Sequence, residues 1–345
     1  MLESGYIRVI NVKKIFILIL LVMLIPLVLS VSISVGVIHI SPINVLLIIF
    51  NPTVNSDPIA QAIIWNIRLP RALMALIAGA TLATAGSALQ GALRNPLVSP
   101  FTIGVSSGAS FGAALAIVLG VSFVGIGPYI IMANAFVFAF IACLIALCIA
   151  KLKGMTSESI ILAGIATMYL FSASITLLQY IAQEWQLKAL VHWMMGDLAL
   201  ANWRRLTLAL PSLIVCIPLF KYAWDLNALM MGEEAAKSLG TDPENTRLVC
   251  VTLSALAVAI VICMTGPIGF IGLVAPHIAR FLVGADYRFS MIGSLLLGSL
   301  LLLSADTIAR VIMAPLELPV GVVTAFLGVP LFVHLLLKVR REMWR

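Results

Sequence analysis

Long apolar runs, separated by short connections that carry charges, prolines and glycines, dominate the chain. A membrane-spanning helix needs about 20 apolar residues, and dividing the runs at their polar interruptions gives segments of about that length. The predicted spans are residues 15–38, 71–91, 100–119, 128–150, 158–182, 206–221, 247–264, 269–284, 290–305 and 318–338. The uncharged run from Asn95 to Ala150 is too long for one span, so it is divided at the Gly- and Pro-containing segment that ends at Pro128. The pattern therefore predicts an all-α, polytopic membrane protein.

Composition leaves little room for a soluble fold. Hydrophobic residues make up 62% of the 345-residue chain, charged residues make up 10%, and the mean hydropathy is +1.14. Soluble domains carry about 25% charged residues, so this chain has too little polar surface to be one of them. The net charge of +7 is better explained by basic residues that collect in cytoplasmic loops than by nucleic-acid binding. We predict a single transmembrane domain, residues 1–345, in the cell membrane.

Basic residues define a direction across the membrane. The apolar run from Ile15 to about Ile40 is longer than the core of a signal peptide, so it is interpreted as a retained first span. With ten spans and an internal N-terminus, fifteen of the twenty-one Lys and Arg residues lie inside. The six on the outside are Arg68, Arg71, Lys188, Arg204, Arg205 and Arg310. This asymmetry follows the positive-inside rule and predicts that both termini are cytoplasmic.

Two connections are long enough to form structure of their own. The external segment 39–67 contains several Pro, Asn and Asp residues and is expected to be an ordered loop. The internal connection between residues 222 and 247 contains the sequence M-G-E-E-A-A-K-S-L-G. Its acids come first, Lys237 lies near its end and Gly240 follows, which is typical of a short helix. We therefore expect an exposed helix on the cytoplasmic side.

Small residues recur at helical spacing in two of the spans. Gly104, Gly108 and Gly112 form a G-x-x-x-G-x-x-x-G pattern, and Gly79 with Ala83 continues the theme in the preceding span. Such faces let helix backbones approach closely in lipid, where packing drives association. The pattern favours tight packing within one subunit over a dimer interface.

The patterns that enzymes require are missing from the sequence. It contains no H-E-x-x-H pair and no G-x-x-x-x-G-K-[ST] nucleotide loop, and its four histidines share no ligand spacing, so no metal site is expected. The five cysteines lie in apolar runs and are interpreted as small buried hydrophobic residues. The fourteen acids fall in predicted loops or at span ends, whereas ion-coupled carriers keep acids near the membrane midplane. We therefore expect a passive pathway, driven by a partner that pushes on the cytoplasmic side.

Several motifs occur together from about residue 60 to the end of the chain. The first are R-L-P-R, A-G-A-T-L-A-T-A-G-S-A-L-Q-G-A-L-R-N-P-L-V-S-P, I-G-V-S-S-G-A-S and W-M-M-G-D. The set continues with G-E-E-A-A-K-S-L-G, G-P-I-G-F-I-G-L-V-A-P-H-I-A-R, A-D-T-I-A-R and E-L-P-V-G-V-V-T-A-F-L-G-V-P. In this order and spacing, the motifs resemble the permease subunits of bacterial and archaeal ABC importers for iron-siderophores, haem and vitamin B12.

The resemblance implies a ten-helix type II ABC importer permease fold. In that family the permease is a homodimer in lipid, two ABC ATPase subunits dock on its cytoplasmic side, and a substrate-binding protein docks outside. No cofactor is expected on this chain, because ATP and Mg²⁺ belong to the ATPase. The chain is then a transport subunit rather than an enzyme, and it takes up a metal chelate. Family frequency makes an iron-siderophore the first expectation for the cargo, followed by cobalamin and haem.

The resemblance also implies roles for individual residues. Docking of the binding protein is expected at Arg68, Arg71 and Arg310. Contacts with the ATPase are expected in coupling helices at residues 226–240, at Gly232, Glu233, Glu234, Ala235, Lys237, Ser238, Leu239 and Gly240. A cytoplasmic gate is expected at Asn95, Leu97, Thr156 and Ser157. The pathway between the two copies is expected to be lined by Ser172, Ser174, Thr176 and Gln179.

Other interpretations of the same residues stay open. The outer arginines could be anchors that reach lipid headgroups, and Arg310 could pair with Asp306 four residues earlier. The charges of segment 226–240 could simply be solvated, and local turn chemistry alone could explain Asn95. The alternative functions are a secondary transporter or channel driven by an ion gradient, an intramembrane enzyme, and a member of the same family that carries an oxyanion such as molybdate.

Overall fold

The computed structural model describes residues 2–51, 57–121 and 129–338, with side chains between residues 11 and 333 of these ranges. Every regular element in this part of the chain is helical. The helices are α1 (Leu2–Ser34), α2 (Pro42–Phe50), α3 (Pro58–Ile63), α4 (Leu69–Ala92), α5 (Val105–Ala114), α6 (Ile130–Lys151), α7 (Ser157–Ile181), α8 (Glu184–Met194), α9 (Trp203–Ala209), α10 (Pro211–Lys221), α11 (Ala223–Met230), α12 (Glu233–Ser238), α13 (Pro243–Thr265), α14 (Ile271–Val283), α15 (Tyr287–Val311) and α16 (Val320–Lys338). Short π-helical turns precede α4 and follow α5. The turn predicted to end at Pro128 lies outside the described residues.

The predicted all-α, polytopic fold is confirmed over the described residues. Seven helical segments are long and apolar enough to cross a membrane, and three shorter apolar helices occupy the remaining predicted positions. Some bounds differ from the prediction. The predicted span 15–38 lies largely in α1, which begins at Leu2, and the predicted span 290–305 belongs to α15, which continues to Val311. In α15 the polar residues beyond position 305 do not end the helix, because a helix can continue past its apolar window where its polar side chains find partners.

Helix α4 forms the centre of the molecule. It packs against α13, α14 and α15, and 22 of its 24 residues are buried. At its contact with α15 the two backbones meet directly, since a methyl group on Gly79 would overlap the carbonyl of Gly298. Gly86 meets the carbonyl of Gly272 in α14 in the same way. Lipid supplies no hydrophobic force between helices, so close backbone packing of this kind must supply much of the association energy.

The glycine face of α5 packs within the subunit. A methyl group on Gly108 would overlap the carbonyl of Phe138, and one on Gly112 would overlap the carbonyl of Asn134, both in α6. The prediction that this glycine pattern serves packing within one subunit is therefore confirmed.

The described parts of the external connections are helical. The segment 39–67, expected to be an ordered loop, contains α2 and α3, and each begins with a proline after a capping side chain, Ser41 or Asp57. Helix α8 is absent from the sequence prediction, although a capping box between Gln183 and Gln186 marks its start. Apolar length alone misses such short helices, whereas their caps mark them.

The cytoplasmic connection contains the predicted short helix. Segment 226–240 is divided between α11 and α12, which meet at Gly232, a residue with a φ of 113°. Helix α12 has acids in its first turn and Lys237 in its last, and Gly240, with a φ of 86°, follows its end. Charge pattern and glycine position were therefore sufficient to locate it.

Four of the five cysteines are buried, and Cys148 in α6 is exposed. The expectation that all five are buried is wrong at this position. An apolar residue of a spanning helix can face lipid as readily as the protein interior, so an apolar run does not distinguish the two.

Candidate functional sites at the two ends of the bundle

Three arginines at the predicted external end belong to one buried network. Arg71 donates from Nε to Asp306 at 2.8 Å and from Nη1 to Glu317 at 2.5 Å. Arg310 donates from Nε to the other carboxylate oxygen of Asp306 at 3.1 Å. Asp306 therefore bridges two guanidiniums and ties α4 to α15. The pairing of Arg310 with Asp306, an alternative raised by the sequence, is confirmed.

Two of the three arginines, Arg68 and Arg310, cap the end of α1. Arg310 donates to the carbonyl of Ser32 at 2.9 Å, and Arg68 donates to the carbonyls of Ile33 and Ser34 at 2.7 and 3.1 Å. The last carbonyls of a helix have no partner within the helix and carry partial negative charge. The two guanidiniums satisfy these carbonyls and fix the end of α1 to the bundle.

The burial of the network differs from the expectation of open docking residues. Arg68, Arg71 and Arg310 are only 7%, 4% and 6% exposed, and Asp306 is fully buried. The sequence pattern predicts that Asp306 lies just beyond the end of the span 290–305. In the structure α15 continues past Asp306, which is therefore buried within the bundle. Glu317, with a side chain 42% exposed, is the one carboxylate of the network within easy reach of a partner.

At the predicted cytoplasmic end, α12 presents one face to solvent. Ala236 is fully buried, whereas Glu234, Lys237 and Leu239 are exposed. Glu233 is half-buried and forms an ion pair with Arg247 of α13. The predicted contact residues thus divide into exposed members and a member that is already engaged within the chain.

The residues predicted as a gate lie in two turns. The Oδ1 atom of Asn95 accepts a hydrogen bond from the backbone N–H of Leu97 at 2.9 Å, and the Leu97 side chain is 44% exposed. The hydroxyl of Thr156 accepts from the N–H of Ser159 at 3.2 Å and caps α7, and Ser157 is buried. Each turn thus has a local structural role in addition to any role as a gate.

The residues predicted to line the pathway lie along α7. Ser172 and Thr176 are exposed, and Ser174 and Gln179 are half-buried. The hydroxyls of Ser174 and Thr176 donate to helix carbonyls one turn earlier, at 2.9 and 3.0 Å. With these protons already engaged, the face is only weakly polar.

A residue pair that the sequence did not single out borders a cavity of about 450 Å³ near the predicted external end. The imidazole of His192 lies 3.5 Å from the carboxylate of Asp197, and Arg205 also lines the cavity. His192 lies in α8, Asp197 in the connection that follows and Arg205 in α9, so helical spacing could not have predicted that they lie together. No three His, Cys, Asp or Glu side chains among the described residues lie close enough together to hold a metal ion.

Comparisons with known proteins agree with the motifs. The FecCD transport family matches residues 16–338. A haemin transport system permease of Yersinia pestis is 40% identical over 286 residues, which cover 81% of this chain and 84% of that protein. A molybdate import system permease of Haemophilus influenzae is 37% identical over 293 residues, which cover 83% of this chain and 84% of that protein.

A solved structure gives the same result for the fold. It is described as an inward-facing conformation of a metal-chelate type ABC transporter, and it matches with a TM-score of 0.83 and 35% identity over 94% of this chain and 99% of that chain. The resemblance drawn from the motifs is thereby confirmed. The chain is a multi-pass membrane protein of the FecCD transport family, a family of ABC importer permeases.

Proposed function

We propose that the chain is the permease subunit of an importer that takes up a metal chelate delivered by an extracytoplasmic binding protein, with ATP hydrolysed on a separate ATPase that binds Mg²⁺. The observation that carries this proposal is the exposed side of α12, which projects Glu234, Lys237 and Leu239 from the cytoplasmic end while Ala236 holds the helix to the bundle. A helix held on one side and free on the other can receive force from a partner.

The pathway in this proposal is built by two copies of the chain. Helix α7 exposes Leu162, Leu177 and Tyr180 by 66%, 63% and 88%, together with the hydroxyl residues Ser172 and Thr176. A face that mixes large apolar and hydroxyl residues fits partial burial against a second copy, with the hydroxyls left to line the pathway.

Coupling to the ATPase is assigned to α12 and its flanking residues. The exposed members, Glu234, Lys237, Ser238 and Leu239, are the direct contacts in this proposal. Gly232, Ala235 and Gly240 shape the helix and its ends.

Docking of the binding protein is assigned to the external arginine network, under a condition set by its burial. Arg68, Arg71 and Arg310 already have partners within the chain, so an acidic docking residue must exchange with one of them. Glu317 is the accessible carboxylate of the network, and Nη2 of Arg71 is buried without a hydrogen-bond partner among the described residues. An incoming carboxylate would therefore replace Glu317 at Arg71, and Arg–carboxylate geometry favours two parallel hydrogen bonds.

The gate is assigned to the two cytoplasmic turns that contain Asn95 with Leu97 and Thr156 with Ser157. The exposed Leu97 side chain supports this, because a half-exposed leucine next to a tight turn can block a passage and withdraw with a small change in the turn.

For the cargo we propose an iron-siderophore first, with cobalamin and haem next and a molybdate-type oxyanion as the alternative within the family. The weakly polar α7 face supports a bulky chelate over a small oxyanion, since a small anion would call for convergent hydrogen-bond donors. The described residues of α7 include no Lys or Arg.

Reconstitution tests the proposal. The chain is co-expressed with an ABC ATPase and a binding protein from the same organism, and the complex is placed in liposomes. We expect uptake of iron bound to a hydroxamate siderophore to require ATP and the binding protein, with cobalamin, haemin and molybdate as competitors. Uptake that follows a proton or sodium gradient without the ATPase would refute the proposal in favour of a secondary transporter.

A further inference from the structure

One buried guanidinium at the cytoplasmic end joins two segments that are far apart in sequence. Arg247 lies in the second turn of α13 and is 2% exposed. Its Nη2 pairs with the carboxylate of Glu233 in α12, and its Nη1 donates to the backbone carbonyl of Met155 at 3.2 Å. Arginine suits such a position because its planar fork can hold two acceptors in fixed directions, which the single ammonium of lysine cannot.

On one side of Arg247, the contact fixes the beginning of α12. The end of this helix is fixed as well, because the N–H of Thr241 donates to the carbonyl of Ala236 at 3.0 Å and its hydroxyl donates to Asp225 of α11 at 2.9 Å. Helix α12 is therefore held at both ends, to α13 at its start and to α11 just beyond its end.

On the other side, the contact fixes the turn that begins α7. Met155 is buried and has a φ of 51°, which is uncommon for a residue with a side chain and leaves few alternative positions for its carbonyl. The next residue, Thr156, is the N-cap of α7. A displacement of the Met155 carbonyl must therefore move the start of α7.

We propose that Arg247 is a positioning residue that ties α12 to the start of α7, so that a push on α12 displaces the turn at Met155 during the ATP cycle. The proposal deepens the proposed function and rests on it. Arg247 contacts neither cargo nor nucleotide in this proposal, and its burial excludes direct contact with the ATPase.

The test measures movement of the turn while ATP turns over. Cys148 is replaced by Ala, and a spin label is attached to Lys153→Cys, an exposed position three residues before Thr156. The distance between the two labels of the dimer is measured by electron spin resonance in the assembled complex with its ATPase, without nucleotide and after trapping with ATP and vanadate. We expect the unchanged chain to give a shift between the two states.

Two variants break the link from opposite ends. Glu233→Ala removes the contact with α12, and Arg247→Lys keeps the charge but cannot reach both acceptors. We expect both complexes to lose the shift, and the Arg247→Lys complex, whose substituted residue is buried away from the ATPase, to hydrolyse ATP. A single substitution can leave a buried charge without its partner and so prevent assembly of the complex. The double variant Glu233→Ala/Arg247→Met removes both charges, so we expect it to assemble and also to lose the shift. Glu244→Gln serves as the control: it removes an exposed carboxylate from the first turn of α13, the helix that contains Arg247, and the label shift should be unchanged.

The outcomes separate the link from the function on which it rests. A full shift in Arg247→Lys or in the double variant would overturn the link alone. Dissociation of the ATPase from the Glu233→Ala permease would also overturn the proposed link, because Glu233 would then act at the ATPase contact. No shift in the unchanged chain, or no complex with an ATPase, would overturn both the link and the proposed function.

Discussion

Replacement of Asp306 by Asn should destabilise the protein far more than the same change at Glu317. Asp306 is fully buried and accepts from both Arg71 and Arg310, whereas Glu317 is 42% exposed and accepts from Arg71 alone. Asn keeps the size of the side chain but removes its charge, and its amide N–H group must face one of the two guanidiniums. Arg310 would then have no carboxylate partner, and Arg71 would keep only the accessible Glu317.

The magnitudes follow from the difference in burial. Removal of one partner from a buried ion pair costs about 3–5 kcal/mol, because an uncompensated charge stays buried. An ion pair with an exposed member contributes about 0–1 kcal/mol. In a protein of this size, 1 kcal/mol corresponds to roughly 2 °C in Tm. Asp306→Asn should therefore lower Tm by about 6–10 °C, and Glu317→Gln by no more than about 2 °C.

The buried cysteines provide the assay. Four thiols are buried and become reactive as the chain unfolds, so a thiol-reactive dye reports unfolding of the purified protein once the exposed Cys148 is replaced by Ala. Glu184→Gln, at an exposed position of α8, serves as the control for loss of an external carboxylate and should leave Tm unchanged. Equal shifts for Asp306→Asn and Glu317→Gln would refute the reasoning, since the bridging role of Asp306 would then carry no energy.

Three further predictions concern packing, pH and assembly. Gly79→Ala should prevent accumulation of folded protein in the membrane, because its methyl group would overlap a backbone carbonyl of α15, whereas Gly269→Ala meets no atom within 4 Å and should express normally. Partial burial would raise the pKa of Asp286, but hydrogen bonds from Arg288 and Asn227 outweigh it and lower the pKa to about 2. A carboxyl group whose pKa is lowered by folding stabilises the folded state at pH values above its ordinary pKa of about 4, and this stabilisation is lost as the pH falls towards the folded-state pKa. The Tm difference between the unchanged chain and Asp286→Asn should therefore be constant from neutral pH to about pH 5 and shrink below about pH 4. A bifunctional maleimide should cross-link two copies through Tyr180→Cys, at the exposed end of α7, and not through Leu208→Cys on α9, as judged by mass on a denaturing gel with Cys148 replaced by Ala.

The spans and the cytoplasmic helix could be predicted from the sequence because their signals are local. A membrane span is recognisable from about 20 successive residues, without knowledge of what it contacts. The acids, the lysine and the final glycine of helix α12 lie within ten residues, so local sequence signals are enough to predict both of its ends.

The contacts of the charged side chains could not be predicted in the same way. Arg71 and Asp306 are 235 residues apart, and only the packing of α4 against α15 brings them together. The four-residue spacing of Asp306 and Arg310 did signal one pair, and the structure has it. The contact between Arg247 and the carbonyl of Met155 involves a backbone atom, which every residue has, so no side-chain pattern could have signalled it.

The backbone contacts of α4 with α14 and α15 bear on how such a protein could change shape. Helices whose carbonyls touch the opposing glycines cannot slide or separate without losing contact along their length. We therefore expect these three helices to behave as a stationary frame, with α1 locked to it through Arg68 and Arg310. We expect motion between outward and inward access to occur at the periphery, which includes α7. A methyl group on Gly164 of α7 would overlap the carbonyl of Thr102, so the turn before α5 should move together with α7. Helix α7 lies between a left-handed backbone turn at Gly154 and Met155, which Arg247 holds, and an extended residue at Ala182, so a displacement of either end breaks no helix.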